Sequence, residues 1–285
     1  MRSGEIESLL ALDPADRLQP LAELASIAAK EGVDDADRVK LLKALMSVLD
    51  SGAGGALARM EAGEALGRLG DPRLRTPDSP DYWAEFDVDG HRIGVGKHLV
   101  TTAEVAAFFA GDGYANDAHW SEAGKHWRDT RRTMWPDLAA EPDSAPLVIP
   151  NQPAVGLTWF EAEAYATAHG CRLLTLDERL FVMRGDANRP YPWGQPFGHG
   201  NANTSEEALG KPSAVGLFLG DCTPEGVYDL AGNVAEWTLD QADDEVIIHP
   251  GSWNQPSMSA WAKARALVPQ KTRSADLGFR IARDI

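Results

Sequence analysis

The chain changes character near residue 76, and this break constrains its fold more than any other feature. Residues 1–75 carry apolar side chains at helical spacing and contain no tryptophan, whereas all nine Trp residues follow, the first at position 83. A helix buries one apolar stripe, but a Trp-rich chain broken by Gly and Pro buries large rings between loops. We therefore predict a helical N-terminal domain at 1–75, a linker at 76–85 and a mixed α+β domain at 86–285.

The N-terminal part predicts three helices, each with its own start or stop signal. Asp13-Pro14 is an N-cap followed by proline at the first helical position, and Gly32 ends that helix. A second helix opens within Asp34–Asp37, and a third ends at Gly70. The predicted buried stripes are Leu18, Leu21, Leu24 and Ile27, then Val39, Leu42, Leu45, Met46 and Leu49, then Leu57, Met60, Ala65, Leu66 and Leu69.

The second part predicts a hairpin and three short helices. Residues 85–95 alternate apolar and polar side chains about Asp89-Gly90, which is the strongest short hairpin signal. Thr101, Thr158 and Thr175 are each followed three residues later by Glu, the capping box that begins a helix. Long stretches rich in Gly, Pro and Trp separate these elements. The pattern indicates an α+β domain with much irregular structure.

An excess of acidic residues excludes two classes of partner. Asp and Glu total 43 against 27 Lys and Arg, for a formal charge of -16. Such a surface repels phosphate backbones and anionic lipids, so we predict neither a nucleic-acid partner nor a membrane partner. No apolar run is long enough for a transmembrane helix, and Met1–Leu12 does not look like a signal peptide. Because Cys171 and Cys222 are the only cysteines, we expect free thiols and a cytoplasmic location.

Seven blocks of the second part occur in a fixed order that is typical of one protein family. Gly226-Val-Tyr-Asp-Leu-Ala-Gly-Asn-Val-Ala-Glu-Trp-Thr238 is the longest, and Tyr191-Pro-Trp-Gly194 and Leu277-Gly-Phe-Arg280 are shorter. The others lie at residues 153–165, 172–180, 201–204 and 250–253. In order and spacing these blocks resemble the formylglycine-generating enzyme (sulfatase-modifying factor) family. The resemblance covers residues 86–283 and implies a C-type-lectin-like fold of mixed α+β structure.

Acidic residues in the 226–238 block predict a calcium site. Asp229 and Glu236 are seven residues apart with Gly232 between them, and two carboxylates on a curled loop suit a hard cation that takes several oxygen ligands. The resemblance implies structural calcium held by the side chains of Asp229 and Glu236 and the carbonyl groups of Gly232 and Val234. It implies a second calcium site at Asn203, Thr204, Glu207 and Leu209. The alternative is that these residues only cap turns and accept hydrogen bonds.

The copper-binding cysteine pair of the enzymes in this family has no counterpart in the sequence. In the family, the first cysteine stands two residues after the aromatic residue of a Gly-Gly-Ser-Tyr motif, and the second stands five residues later. Here these positions are Gln255 and Ala260, and neither binds Cu(I) as a thiolate does. A related branch binds iron through three histidines, but residues 1–75 contain no His. We therefore expect no copper, no iron and no formylglycine-generating activity.

The segment around these two positions carries contact chemistry instead. Residues 251–285 contain six basic and two acidic residues, so this segment is positive while the rest of the chain is negative. Tryptophan, arginine and amide side chains are common at protein interfaces. We predict a ligand-binding surface at Asn254, Gln255, Ser257, Ser259, Trp261, Lys263, Gln270, Lys271 and Arg273.

Together these observations predict a non-catalytic module. Its C-terminal face would bind a protein or peptide ligand, and its N-terminal helices would dock a second protein partner. One version is a variable protein diversified by a retroelement, because such proteins use this fold and vary in the same C-terminal window. The alternative is an oxidoreductase of the formylglycine-generating or sulfoxide-synthase type with different active-site chemistry.

Overall fold

Four helices form the N-terminal part of the computed structural model, which describes residues 2–131 and 133–285. They are α1 (Arg2–Leu10), α2 (Pro14–Glu31), α3 (Asp35–Asp50) and α4 (Ala56–Leu69). Asp34 caps α3, because its side chain accepts a hydrogen bond from the Asp37 amide at 2.9 Å. The three predicted helices are confirmed, and α1 precedes them.

Most of each predicted stripe is buried, but one residue of each stripe is exposed. Ile27, Val39 and Leu57 are 47%, 48% and 58% exposed, so their assignment to the core is wrong. Ala25 in α2 and Leu41 in α3 are fully buried instead. Helical spacing fixes which residues share a face, but the packing of α2 against both α3 and α4 decides where that face begins and ends.

The N-terminal helices share their core with the second part of the chain. Leu217 and Phe218, which belong to a loop of the α+β part, are buried among the helical leucines. The Asn151 side chain donates a hydrogen bond to the Gly63 carbonyl of α4 at 2.9 Å. A Cβ atom on Gly67 would lie 2.1 Å from Asn151 Oδ1, so this approach requires glycine. The two parts therefore meet in a closely packed interface.

Two four-stranded sheets organise the α+β part. The first contains β1 (Trp83–Val88), β2 (His91–Gly96), β3 (Arg172–Leu173) and β8 (Ile281–Asp284), all antiparallel, in the order β1-β2-β8-β3. The second contains β4 (Ala235–Ala242), β5 (Glu245–His249), β6 (Ala266–Pro269) and β7 (Leu277–Phe279), in the order β6-β5-β4-β7. Strands β4 and β7 run parallel, and the other pairs of this sheet are antiparallel. Arg280 alone separates β7 from β8 and so connects the two sheets.

The predicted hairpin is present as β1 and β2. Asp89 and Gly90 form its turn with φ angles of 53° and 85°, the left-handed conformation that this type of hairpin requires. Residues 76–85, predicted as a linker, contain a 3₁₀ turn at Pro80–Tyr82 and the start of β1 at Trp83.

Five helices of the described chain flank the sheets. They are α5 (Thr102–Ala110), α6 (Glu122–Thr130), α7 (Trp135–Ala139), α8 (Trp159–Ala168) and α9 (Leu176–Arg184). The three predicted capping boxes begin α5, α8 and α9, and in each the Glu carboxylate accepts a hydrogen bond from the amide of its Thr at 2.8 or 2.9 Å. The sequence did not predict α6 and α7. None of the helices described has both the length and the apolar composition that a membrane span requires.

Buried indole groups hold the irregular segments in place. Trp135 donates its ring N–H to the Val155 carbonyl, and Trp159 donates to the Thr238 carbonyl, both at 2.8 Å. Both rings are less than 5% exposed. Each therefore combines a large buried surface with one directed hydrogen bond to a distant carbonyl, which orders backbone that no regular element holds.

Candidate functional site

Large apolar side chains face solvent in the segment that the sequence singles out for binding. Met258 is 75% exposed and Trp261 is 46% exposed. We call residues 254–271 the C-terminal surface. Side chains of this size are usually buried, so two of them on one loop indicate a contact surface.

The aromatic block that begins at Tyr191 supports this loop. The rings of Tyr191 and Trp193 stack with centroids 5.0 Å apart and planes 4° from parallel. The Tyr191 hydroxyl donates to the Ser257 carbonyl at 3.4 Å, and the Ala262 amide donates to the Pro190 carbonyl at 2.9 Å. The loop is thus anchored to a stacked aromatic pair, so Trp261 is presented on an ordered backbone.

The predicted binding residues fall into two groups by exposure. The exposed ones are Asn254, Trp261, Lys263 and Lys271. The partly buried ones are Gln255, Ser257, Ser259, Gln270 and Arg273. Gln270 donates its side-chain N–H to Gln241 at 2.7 Å, so part of its polar capacity is already used inside the protein.

Arg273 serves the interior and not the surface. Its guanidinium group lies 2.8 Å from the Glu161 carboxylate and donates to the Gly156 carbonyl at 2.6 Å. It also lies over the Trp127 ring, 5.8 Å from the centroid. These contacts neutralise its charge, so the geometry does not favour the predicted role of Arg273 in ligand binding. Lys263, Arg265 and Lys271 are the exposed cations of this surface.

Both cysteines lie outside the C-terminal surface, and burial disfavours ionisation of their thiols. Cys171 and Cys222 are free cysteines, and burial raises the pKa of both. Ala260, which the sequence motifs predict to stand at one of the family's cysteine positions, is fully buried. Copper binding of the family type needs neighbouring thiolates of low pKa, and these residues do not supply them.

Glu236 is the centre of a buried ion-pair cluster. Arg179 lies 2.8 Å from Oε1 and Arg280 lies 3.2 Å from Oε2, and all three residues are 1% exposed. Although burial opposes ionisation, the charges of the two guanidinium groups lower the pKa of Glu236. Two cations already bind its oxygens, and a third would be repelled. Glu236 therefore does not fit the predicted role of calcium ligand. Arg179 was missed as its partner, although it lies in the 172–180 block.

Asp229 and Asn203 each have a buried side-chain oxygen without a partner. Oδ1 of each side chain is buried and accepts no hydrogen bond. The Gly216 amide donates to the other Asp229 oxygen at 2.7 Å. Burial raises the pKa of Asp229 to about 6, because the protein does not fully compensate its charge. A bound cation would provide the missing partner.

The other predicted calcium ligands have mixed surroundings. Gly232, Val234 and Thr204 are buried near the same turn. Glu207 accepts a hydrogen bond from the Gly200 amide at 2.6 Å. Leu209 packs against the helical core, as its side chain requires, so only its carbonyl group could take part in binding.

Asp221 anchors the turn that carries Asp229, and sequence reasoning missed it. Its carboxylate accepts hydrogen bonds from the amides of Leu230 at 3.1 Å, Ala231 at 2.9 Å and Gly232 at 3.0 Å. Burial, and next the negative charge of Asp229, raise the pKa of Asp221 to about 7. No local pattern marks an aspartate that folds onto amides 9 to 11 residues away, so the sequence offers no signal for it.

A family model describes most of the chain. The sulfatase-modifying factor enzyme 1-like domain matches residues 61–285. The chain belongs to this family. Its fold is the C-type-lectin-like fold of the formylglycine-generating enzymes, as the sequence blocks predicted. The match begins inside α4, so the helix that contacts Asn151 lies partly within the family domain.

Relatives in this family include an oxygenase and a protein described as inactive. Hercynine oxygenase of Mycolicibacterium thermoresistibile is 34% identical over 164 residues, 53% of this chain and 36% of that protein. Inactive C-alpha-formylglycine-generating enzyme 2 of Bos taurus is 31% identical over 177 residues, 55% of this chain and 58% of that protein. The structure of PvdO from Pseudomonas aeruginosa superimposes with a TM-score of 0.53 at 24% identity, covering 68% of this chain and 81% of PvdO. The chain thus spans only part of these two relatives, and the PvdO likeness concerns the fold alone.

Proposed function

We propose that this protein is a non-catalytic binding module whose C-terminal surface takes a protein or peptide ligand. The observation that carries the proposal is the exposure of Trp261 and Met258 on a loop fixed by Tyr191 and Pro190. A rigid aromatic side chain on an ordered backbone loses little conformational entropy on binding. Asn254, Gln255, Ser257 and Ser259, which precede it in the same segment, carry hydrogen-bonding side chains.

Charge supports an acidic ligand. Lys263, Arg265 and Lys271 are exposed on this surface, within a chain of formal charge -16. A positive patch on a negative molecule attracts an acidic peptide and orients it. The same net charge supports our view that nucleic acid and anionic membranes are not partners.

Our proposal that the module is non-catalytic rests on the positions and the pKa values of its cysteines. The family's cysteine positions hold Gln255 and Ala260, and burial raises the pKa of both cysteines that the chain does contain. One relative carries the description inactive, which is compatible with a domain of this family that has lost its chemistry.

We further propose that calcium stabilises the 226–238 turn. The unpartnered Oδ1 of Asp229 supports a first site, which the carbonyl groups of Gly232 and Val234 would complete, and the unpartnered Oδ1 of Asn203 supports the second predicted site. The role is structural, because a hard cation would offset the buried charge of Asp229. Glu236 has no part in it.

We also propose that the N-terminal helices bind a second protein partner. Ile27, Val39 and Leu57 expose apolar side chains there. We further propose that the protein is cytoplasmic. A variable protein diversified by a retroelement remains one version of the proposal, and a reverse-transcriptase gene beside this gene would favour it.

Selection from a displayed peptide library against the full chain tests the binding surface. We expect acidic peptides, and we expect Trp261→Ala to weaken their binding by about 2 kcal/mol, or about 30-fold, as buried aromatic anchors do. The matched control is Leu57→Ala, which removes an exposed apolar side chain from α4. Melting curves of both variants check that neither change affects folding. Normal binding by Trp261→Ala together with loss of binding by Leu57→Ala would place recognition on the helices.

A further inference from the structure

A cleft of about 340 Å³ opens between α5, the end of α8 and the segment 76–77. Phe108, Tyr165, His119 and His169 contribute to its walls, and Glu104 and Asp112 are its acidic residues. None of its lining residues belongs to the C-terminal surface. Its volume lies in the range of small-molecule sites and exceeds what a metal ion needs.

Four aromatic rings form one group at this cleft, with Phe108 at its centre. The Phe108 ring lies 5.5 Å from Tyr165, 5.6 Å from His119 and 6.4 Å from His169, measured between centroids. The Tyr165 and His169 rings are 4.4 Å apart. Faces of aromatic rings attract cations through their quadrupole, and they also pack against flat or apolar groups.

The charged side chains that line the cleft are negative, since Glu104 and Asp112 are present and no Lys or Arg lines it. Glu104 lies at the inner end, where its carboxylate accepts hydrogen bonds from the Thr101 amide at 2.8 Å and the Tyr165 hydroxyl at 3.1 Å. These partners are neutral and offset none of its charge, although burial raises the pKa of Glu104. Asp112 lies at the opening, with its side chain 66% exposed.

Two helix ends add to the negative potential. Gly111, the C-cap of α5, and Ala168, the last residue of α8, both line the cleft. The C-terminus of a helix carries a partial negative charge of about half an elementary charge, because its last carbonyl groups have no partner within the helix. The two helix ends and the two carboxylates therefore all make the electrostatic potential in the cleft more negative.

The histidines add acceptors when they are neutral. His169 Nδ1 lies 2.9 Å from the Tyr165 carbonyl, which can only accept, so Nδ1 donates and Nε2 keeps a lone pair. His119 Nε2 lies 3.3 Å from the Asp112 carboxylate, so by the same argument its Nδ1 keeps a lone pair. The polar groups of the cleft are thus mainly acceptors, and they match a ligand that donates.

We propose that this cleft is a binding site for a small organic cation, an ammonium group carried on an aromatic or short apolar body. The ammonium group would donate hydrogen bonds to Asp112 and the imidazole acceptors. The body of the ligand would lie against Phe108 and Tyr165. This site shares no residues with the C-terminal surface, so one proposal can be wrong while the other is correct.

Titration of the full chain with phenethylamine, followed by NMR and calorimetry, tests the proposal, and 3-phenylpropionate serves as the anionic probe of similar size. We expect phenethylamine to bind and to shift resonances of residues 104–119 and 165–169, and we expect 3-phenylpropionate not to bind. Asp112→Asn keeps the shape of the side chain and removes its charge, so it should weaken phenethylamine binding about 5- to 10-fold. Added salt should weaken binding further.

The matched control is Asp117→Asn. Asp117 lies on the same segment, is 69% exposed, and pairs with Arg128 outside the cleft. It should leave phenethylamine affinity unchanged. Equal effects of the two variants, equal binding of the anion, or no binding at concentrations on the order of 10 mM would overturn the proposal. Displacement of the amine by stoichiometric Zn²⁺ would identify a metal site in its place.

Discussion

His98 is half-buried, and its Nδ1 atom is buried without a hydrogen-bond partner. Its ring stacks on Tyr228 with centroids 5.1 Å apart, and a Cβ atom on Gly216 would lie 2.8 Å from its ring. Burial, with a smaller contribution from the charge of Arg73, lowers the pKa of His98 to about 3. A neutral ring in a crowded apolar contact is a local source of acid sensitivity.

We predict that His98 makes the fold less stable in acid. Its pKa falls from 6.5 to about 3 on folding, so the unfolded chain takes up a proton in that window and the folded chain does not. Stability is fully present above pH 6.5 and is lost as the pH falls, by up to about 1.4 kcal/mol for each pH unit. His98→Phe keeps a ring against Tyr228 and removes the titration. Urea unfolding between pH 7 and pH 4 should show a growing advantage of the variant over the wild type.

The exposed His199 provides the control for this prediction, with its side chain 80% exposed. His199→Gln should follow the wild type at every pH, because the side chain of His199 lies largely in solvent in the folded protein. Parallel stability curves for His98→Phe and the wild type would show that His98 accepts its proton in the folded protein.

At the scale of single elements, short sequence motifs correctly predicted the turns and helix starts that neighbouring residues form. The hairpin at Asp89 and the helix starts at Thr101, Thr158 and Thr175 were predicted correctly, because each turn or cap is formed by neighbouring residues. Most of the buried side of α4 was also predicted, since Met60, Ala65, Leu66 and Leu69 are buried and only Leu57 is exposed. The contribution of Leu217 and Phe218 to this core was not predicted, because they come from far along the chain.

The candidate site shows the same division. The sequence placed Trp261 on a contact surface, and Trp261 is exposed. The sequence also predicted Glu236 as a calcium ligand, a role that its ion pairs do not favour. Its partners Arg179 and Arg280 lie 57 and 44 residues away, and no local pattern reveals them. Asp221 was missed for the same reason.

We predict that calcium raises the melting temperature through the turn at Asp229. Saturating calcium should raise it by on the order of 5 °C and a chelator should lower it, because a ligand that binds only the native state stabilises it. Asp229→Asn should abolish the response. Glu236→Ala is an unsuitable variant, since it leaves two buried guanidinium groups unpaired and costs about 3–5 kcal/mol whether or not calcium binds.

Asp243→Asn is the control, because Asp243 is exposed in the turn between β4 and β5. It should keep the full response to calcium. Melting curves that respond to neither calcium nor chelator would contradict the calcium proposal. Copper or iron found by elemental analysis of the purified protein would favour the oxidoreductase alternative.

At the scale of the whole molecule, the helical part and the α+β part depend on each other. Arg59 donates to the Leu217 carbonyl at 2.6 Å, and Lys211 pairs with Glu64 at 2.5 Å. Asn151 is fully buried between the two parts. The helices therefore complete the core of the family domain in addition to any partner they bind.

We predict that residues 76–285 do not fold stably alone. Removing residues 1–75 exposes Leu217 and Phe218 and leaves the buried Asn151 amide without its partner on α4. The fragment should bind a hydrophobic dye and lose cooperative thermal unfolding. Deletion of residues 1–12, which removes α1 but leaves α4 in place, should retain a cooperative transition. A fragment 76–285 that unfolds cooperatively at the wild-type midpoint would contradict this prediction.

The position of the last two strands has a consequence for how the protein is made. Strand β8 lies between β2 and β3 in the first sheet, and β7 pairs with β4 in the second. A ribosome that has not yet released residues 277–284 therefore holds a chain in which both sheets lack a strand. Most of the tryptophans have left the ribosome by then, but the core that buries their side chains is still incomplete. Such contacts between distant segments form slowly. Until both strands have been added, the unpaired edges of β2, β3 and β4 leave the nascent chain open to aggregation.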